Sequence, residues 1–179
     1  MTSVLAVYTW CCGAVAVLGL LTSVAWSLIH LSQWIEAYPL RARWIGVRYA
    51  QVQLGLVLLM YVCGHLPLPA AVLCASLGVY GLICMWPATW PSQSRPPIVA
   101  RAVWGVGVPL AAHASLTSHY GGVQHAWIAH AHGFAQEAPS LPYAQAHEVV
   151  ALIAGLVWAL PVYQFVSETT QTWSLPTRT

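Results

Sequence analysis

The 179-residue chain is 59% hydrophobic and only 6% charged, with a formal net charge of +2. Soluble domains carry about 25% charged residues, so this balance excludes a soluble globular domain. The small charge, with no basic tract, argues against a nucleic-acid partner. What remains is an all-α polytopic membrane protein, a single helical bundle whose surroundings are the lipid bilayer.

The first apolar run, residues 4–29, is slightly longer than the ~20 residues needed to cross a hydrocarbon core. It is too long for the ~7–15-residue core of a signal peptide. Nothing basic precedes it and Arg41 and Arg43 follow it, so its N-terminus is expected in the lumen. A first loop, 30–43, carries Glu36 and Pro39, with Trp34 and Trp44 as interfacial anchors. From residue 49 to 94 there is no charge, which suits a hairpin of two spans, about 44–62 and 70–86. Gly64 to Pro69 breaks it, because proline donates no backbone hydrogen bond and restricts its predecessor. The third loop, 87–101, holds four prolines with Arg95 and Arg101. A fourth span follows at about 102–116, or from nearer Ile98. The connection 117–147 contains five histidines. A fifth span at about 149–166 includes Pro161, expected to kink it, and 167–179 forms a short polar tail.

All six basic residues are arginines: Arg41, Arg43, Arg48, Arg95, Arg101 and Arg178. Five spans place every one of them in, or at the border of, the first loop, the third loop or the tail, which share a face. Cytosolic loops are enriched in Lys and Arg, so that face, with the C-terminus, is expected in the cytosol. A four-span alternative puts one arginine-bearing loop on the wrong side.

Histidine is the commonest metal ligand and titrates near pH ~6.5. The group in and beside the fourth connection therefore has three readings: solvated loop residues, a pH-sensitive surface, or a metal site built from His119, His125, His130 and His132. The last would make the chain a metal-dependent membrane enzyme or metal carrier. The HxxxH and HxxHH spacings of membrane di-iron enzymes are absent. So are aspartate, GxSxG, a Gly-rich phosphate loop and HExxH. No enzymatic activity and no cofactor are expected. Glu148 reads as a helix cap, and Gln51 and Gln53 as polar groups that bond a neighbouring helix. The five cysteines read as apolar fillers. Ala151-x-x-x-Gly155 has the spacing that lets helices approach closely.

The segment Leu156-Val157-Trp158-Ala159-Leu160-Pro161-Val162-Tyr163-Gln164-Phe165-Val166-Ser167, followed by Leu175-Pro176, resembles the last span of the Svp/TEX family of ER–Golgi sorting adaptors. Leu28 to Tyr38, with its Ile35-Glu36 pair, is similar to the family's exit from span one. Gly81-Leu82-Ile83-Cys84-Met85-Trp86-Pro87 is similar to its end of span three. Ala112-His113 stands where relatives carry Asn-His, with Ser118-His119-Tyr120 as a competing alignment. The tail is shorter than in many relatives.

The resemblance implies a cargo adaptor that promotes export of type II membrane proteins, chiefly Golgi glycosyltransferases, in COPII vesicles. It implies residence in the endoplasmic reticulum membrane, COPII vesicles and early Golgi. Cargo contacts would fall on His113, His119, Tyr120, Trp158 and Pro161, and coat contacts on Glu36, Tyr38, Arg41, Arg43, Arg95 and Arg101. Cargo, coat components and lipid are the partners implied, with a homo-oligomer left open.

Overall fold

The structure is a computed structural model describing residues 4–86, 97–133 and 141–173, with side chains described between residues 11 and 169. The described residues are helical apart from short connections, and five helices are long and apolar enough to cross a membrane. They are α1 (Val4–Ala37), α2 (Pro39–Val62), α3 (Leu68–Met85), α4 (Ile98–Ala131) and α5, which runs as Ala146–Ile153, Ala154–Trp158 and Ala159–Trp173. Helices α2 to α5 alternate in direction, for Arg43 at the start of α2 bonds the end of α3 and Arg101 at the start of α4 pairs with Glu168 late in α5. One end of the bundle therefore gathers the last turns of α3 and α5 with the first turns of α2 and α4, and the last turns of α1 join it. This is the arginine end, and the opposite one is the histidine end.

Two expected boundaries move. The loop expected over 30–43 is a single residue, Tyr38, between α1 and α2. Pro39 supplies the first helical position of α2, where its missing N–H costs nothing. Half of the connection expected over 117–147 is helix as well, since α4 continues to Ala131. At 34 residues each, α1 and α4 are about 51 Å long against a hydrocarbon core of about 30 Å. Helices do not stop where hydropathy does. The polar turns that mark a bilayer boundary in the sequence are helical turns standing outside it. Helix α4 starts at Ile98, so the fourth span is not short.

Helix α3 lies at the centre, packed against α2, α4 and α5. Small residues let the helices approach closely: Ala42, Gly46 and Ala50 on α2, and Ala70, Ala71 and Gly78 on α3, are all buried, and Gly81 of α3 is buried against Leu160 and Gln164 of α5. A Cβ on Gly46 would stand 2.5 Å from Met85 Sδ and 2.9 Å from Tyr163 Cε1; one on Gly78 would stand 2.8 Å from Leu54 Cγ. Those distances require glycine. The close approach expected at Ala151 and Gly155 lies elsewhere, for Ala151 is exposed on the bundle surface.

Two buried clusters result. One, toward the histidine end, joins Val57, Leu66, Cys74, Leu77, Leu116 and Val157. The other, toward the arginine end, joins Ile35, Ala42, Met85, Leu160 and Val166. Helix α1 enters only the second. From residue 11 to 27 all its side chains face outward, and it meets α2 and α5 through Leu28, Leu31, Trp34 and Ile35.

Both α4 and α5 widen by one turn just before a proline. Val103–Gly107 precedes Pro109, and Ala154–Trp158 precedes Pro161. In each the bonding shifts to i→i+5: the Val108 N–H donates to Val103 O and the Ala159 N–H to Ala154 O. Proline removes a donor and crowds the preceding turn, and a π-turn relieves the crowding. At Pro161, where the sequence suggests a kink, the structure has this π-turn just before the proline.

Candidate functional site

Two carbonyls of the widened turn of α5 accept from side chains of α2. Gln53 Nε2 donates to Leu156 O at 2.6 Å. One turn earlier the Tyr49 hydroxyl donates to Gly155 O at 2.5 Å. Gln53 is 2% exposed. Of the two glutamines, Gln53 thus makes the expected interhelical bond, while Gln51 is exposed and accepts from Arg48 Nη1 at 3.4 Å. Tyr49 and Gln53, four residues apart on one face of α2, form a clamp on α5.

On the opposite side of the same turn, Trp158 faces α4. Its indole Nε1 donates to His113 Nδ1 at 3.3 Å, with the rings edge to face at 6.4 Å. Pro161, one turn further on, is buried. The structure therefore brings together three residues expected at the cargo site, His113, Trp158 and Pro161, along the α4–α5 seam. His119 and Tyr120 lie further toward the histidine end. Their rings meet edge to face at 5.2 Å, and the Tyr120 hydroxyl donates to His65 O at 3.1 Å. His119 Nε2 is buried without a hydrogen-bond partner.

Around Tyr120 opens a cavity of about 330 Å³ between α2, α4 and α5, with His65, Tyr143, Glu148 and Leu152 on its wall. Its rim is fixed by the outer turns of α4. Gln124 Nε2 donates to Ala144 O at 3.0 Å and Trp127 Nε1 to Leu141 O at 2.8 Å, tying 141–144 back onto the helix. Glu148 caps α5 as expected: its Oε2 accepts from the Gln145 N–H at 2.8 Å in a reciprocal capping box. The structure does not draw His119, His125, His130 and His132 into one cluster. Among the described residues no three His, Cys, Asp or Glu side chains stand together as metal ligands. Among the described residues, none of Cys11, Cys12, Cys63, Cys74 and Cys84 is joined in a disulfide.

At the arginine end, Glu36, Tyr38 and Arg41 are exposed, with the Arg41 guanidinium 5.5 Å above the Tyr38 ring. Arg43 is turned inward as a helix cap: its Nε donates to Met85 O at 3.0 Å and its Nη2 to Trp86 O, satisfying the last carbonyls of α3. Arg101 Nη1 pairs with Glu168 Oε2 at 3.2 Å, joining the start of α4 to the end of α5. Arg95 lies outside the described residues. The Arg48 guanidinium sits 5.4 Å over the Trp44 ring, an interfacial arrangement in keeping with a snorkelling side chain.

Sequence reasoning missed the clamp residues' target, the Arg101–Glu168 pair and the anchoring by Gln124 and Trp127. The ion pair was open to discovery, since Arg101 and Glu168 stand at corresponding depths of the last two antiparallel spans. The clamp's target depends on how α2 and α5 are turned against each other, which no residue pattern displays.

Comparison with known proteins bears on this arrangement. A family model described as transmembrane adaptor Erv26 matches residues 2–179. No curated protein and no solved structure matches.

Proposed function

The chain belongs to the Erv26 family of transmembrane adaptors, and on that premise we propose that it gathers type II membrane cargo, chiefly Golgi glycosyltransferases, for export from the endoplasmic reticulum in COPII vesicles. The observation that carries this reading is the family match over residues 2–179, in accord with the resemblance of α5 and of the ends of α1 and α3. Its chemistry is binding rather than catalysis.

The physical task suits the bundle. A type II glycosyltransferase keeps its stem and catalytic domain in the lumen and offers the coat only a short cytosolic segment. An adaptor with one face for cargo and another for the coat bridges the two. We place the arginine end in the cytosol by the charge rule, with Glu36, Tyr38 and Arg41 presented to the coat and Arg95 of the third loop on the same face. Arg43 and Arg101 serve this face indirectly, by fixing the helix ends that display it. The cargo's membrane span lies along the seam of His113, Trp158 and Pro161. Its lumenal stem reaches His119, Tyr120 and the cavity beside them. The adaptor cycles between the endoplasmic reticulum and early Golgi.

Co-precipitation of the chain from crosslinked vesicles, read by mass spectrometry, tests this. Coat components and glycosyltransferases enriched together are the expected result; enrichment of neither overturns it. A tag between Gly121 and Ala144 tests the orientation separately, since it should be shielded when only the plasma membrane is permeabilised.

A further inference from the structure

We propose that the cleft between α4 and α5 at the arginine end is a binding site for one phosphoglyceride whose headgroup carries a primary amine. The cleft, about 270 Å³, is polar at one end and apolar along its length. Arg101, Gln164 and Glu168 form the polar end, with Tyr80 of α3 behind them. Val106, Val162 and Phe165, all exposed on the bundle surface, form the apolar wall down to Trp158.

The cleft exists because of the two π-turns. Each widens its helix at the seam, and Gly105 contributes no side chain there: a Cβ built on it meets nothing within 4 Å. The back wall is held by Tyr80 stacked on Trp104, with ring centroids 5.1 Å apart and planes at 11°.

Two donors at the polar end are unsatisfied. Arg101 bonds Glu168 through Nη1, but its Nε is buried with no partner, and so is Gln164 Nε2, which faces Gly81. Buried donors are nearly always satisfied, and in a membrane an unsatisfied one is costly. A phosphodiester supplies acceptor oxygens to the guanidinium, and a glycerol ester carbonyl supplies one near the amide. The carboxylate of Glu168, 32% exposed, then accepts from a headgroup ammonium. A phosphate and an amine on one headgroup match the Arg101–Glu168 pair charge for charge.

The dimensions fit an acyl chain. From Glu168 back to Trp158 is ten residues, about 15 Å along the helix, or half of a ~30 Å hydrocarbon core. A groove from headgroup level to the bilayer midplane accommodates one chain of one leaflet. A transmembrane helix about 10 Å across would fill on the order of 1,000 Å³ over that length, far more than the cleft offers.

The test uses the full-length chain purified in detergent with equal amounts of ethanolamine- and choline-headgroup phosphoglyceride, read by native mass spectrometry. One retained lipid per chain is expected, with the ethanolamine form favoured about tenfold, as one additional charge-assisted hydrogen bond would give. Choline has no N–H to donate. Glu168→Gln should keep the lipid but cut the preference below about twofold by the same reasoning. Val162→Trp should fill the cleft and expel it. Should Val162→Trp fail to fold, an ethanolamine lipid with a photoactivatable acyl chain, added to the unaltered protein, should crosslink to Val106, Val162 or Phe165. No retained lipid, equal retention of both headgroups, or crosslinks confined to other helices overturns the proposal. So does a photo-crosslinker at Phe165 that captures polypeptide and no lipid in intact membranes. No cargo or coat takes part in the assay. Trp158 and Pro161 line both this cleft and the proposed cargo seam, so a cargo span would lie outside the occupied cleft, and failure of the lipid test leaves the adaptor test standing.

Discussion

Replacing Gln53 by leucine should destabilise the bundle, although leucine is apolar, similar in size and placed in a membrane helix. Gln53 Nε2 donates to Leu156 O at 2.6 Å inside the bundle. Leucine deletes that buried bond. Removing one partner of a buried hydrogen bond costs about 1–3 kcal/mol; in membrane proteins measured values average about 0.6 and reach about 1.7 kcal/mol. Gln53 Oε1 is itself buried without a partner, so its removal returns part of the loss. The net expectation is about 1 kcal/mol. Tyr49→Phe, which keeps the ring and deletes only the donor to Gly155 O, should cost a similar amount. The double variant should lose about 2 kcal/mol by the same reasoning, and hydrogen exchange should accelerate at residues 154–160. Reversible unfolding in mixed micelles, with mass-resolved hydrogen exchange, reads both quantities. If Gln53→Leu is as stable as the parent and exchange in α5 is unchanged, the clamp on the π-turn is refuted.

Gly46→Leu should cost about 1–3 kcal/mol as an overpacked core does, because its Cβ alone would press on Met85 and Tyr163; Gly55→Ala, whose Cβ meets nothing within 4 Å, should leave the melting temperature unchanged or raised. Arg43→Met should cost about 1–2 kcal/mol by uncapping the Met85 and Trp86 carbonyls, seen as a lower unfolding midpoint and faster exchange at the end of α3. Trp158→Phe keeps an aromatic ring but removes the donor to His113; it should reduce glycosyltransferase co-precipitation several-fold while the amount of folded protein is maintained, and unchanged capture would remove Trp158 from the cargo seam.

The membrane class and the five helices could be read from the chain because hydrophobic length and arginine placement are local properties. Helix ends were harder. Residues 117–131 are polar enough to look like a loop, yet Gln124 and Trp127 bond the backbone of 141–144 and hold them helical. The roles of the arginines were legible only as a group. Arg41 and Arg43 are two residues apart, but helical geometry sends Arg41 over Tyr38 at the surface and Arg43 onto the end of α3. Pairings across the bundle, such as Tyr163 Oη donating to Ala42 O at 2.7 Å, depend on how helices rotate against each other, and that rotation is fixed by glycine contacts far apart in the sequence.

The adaptor reading is tested most directly by vesicle budding from endoplasmic reticulum membranes prepared with and without this chain, measuring the fraction of each cargo packaged. Packaging of type II glycosyltransferases should fall several-fold without it, and be restored by adding it back, while a cargo of the opposite topology leaves at its usual efficiency. Equal packaging of glycosyltransferases from both membranes would contradict the account.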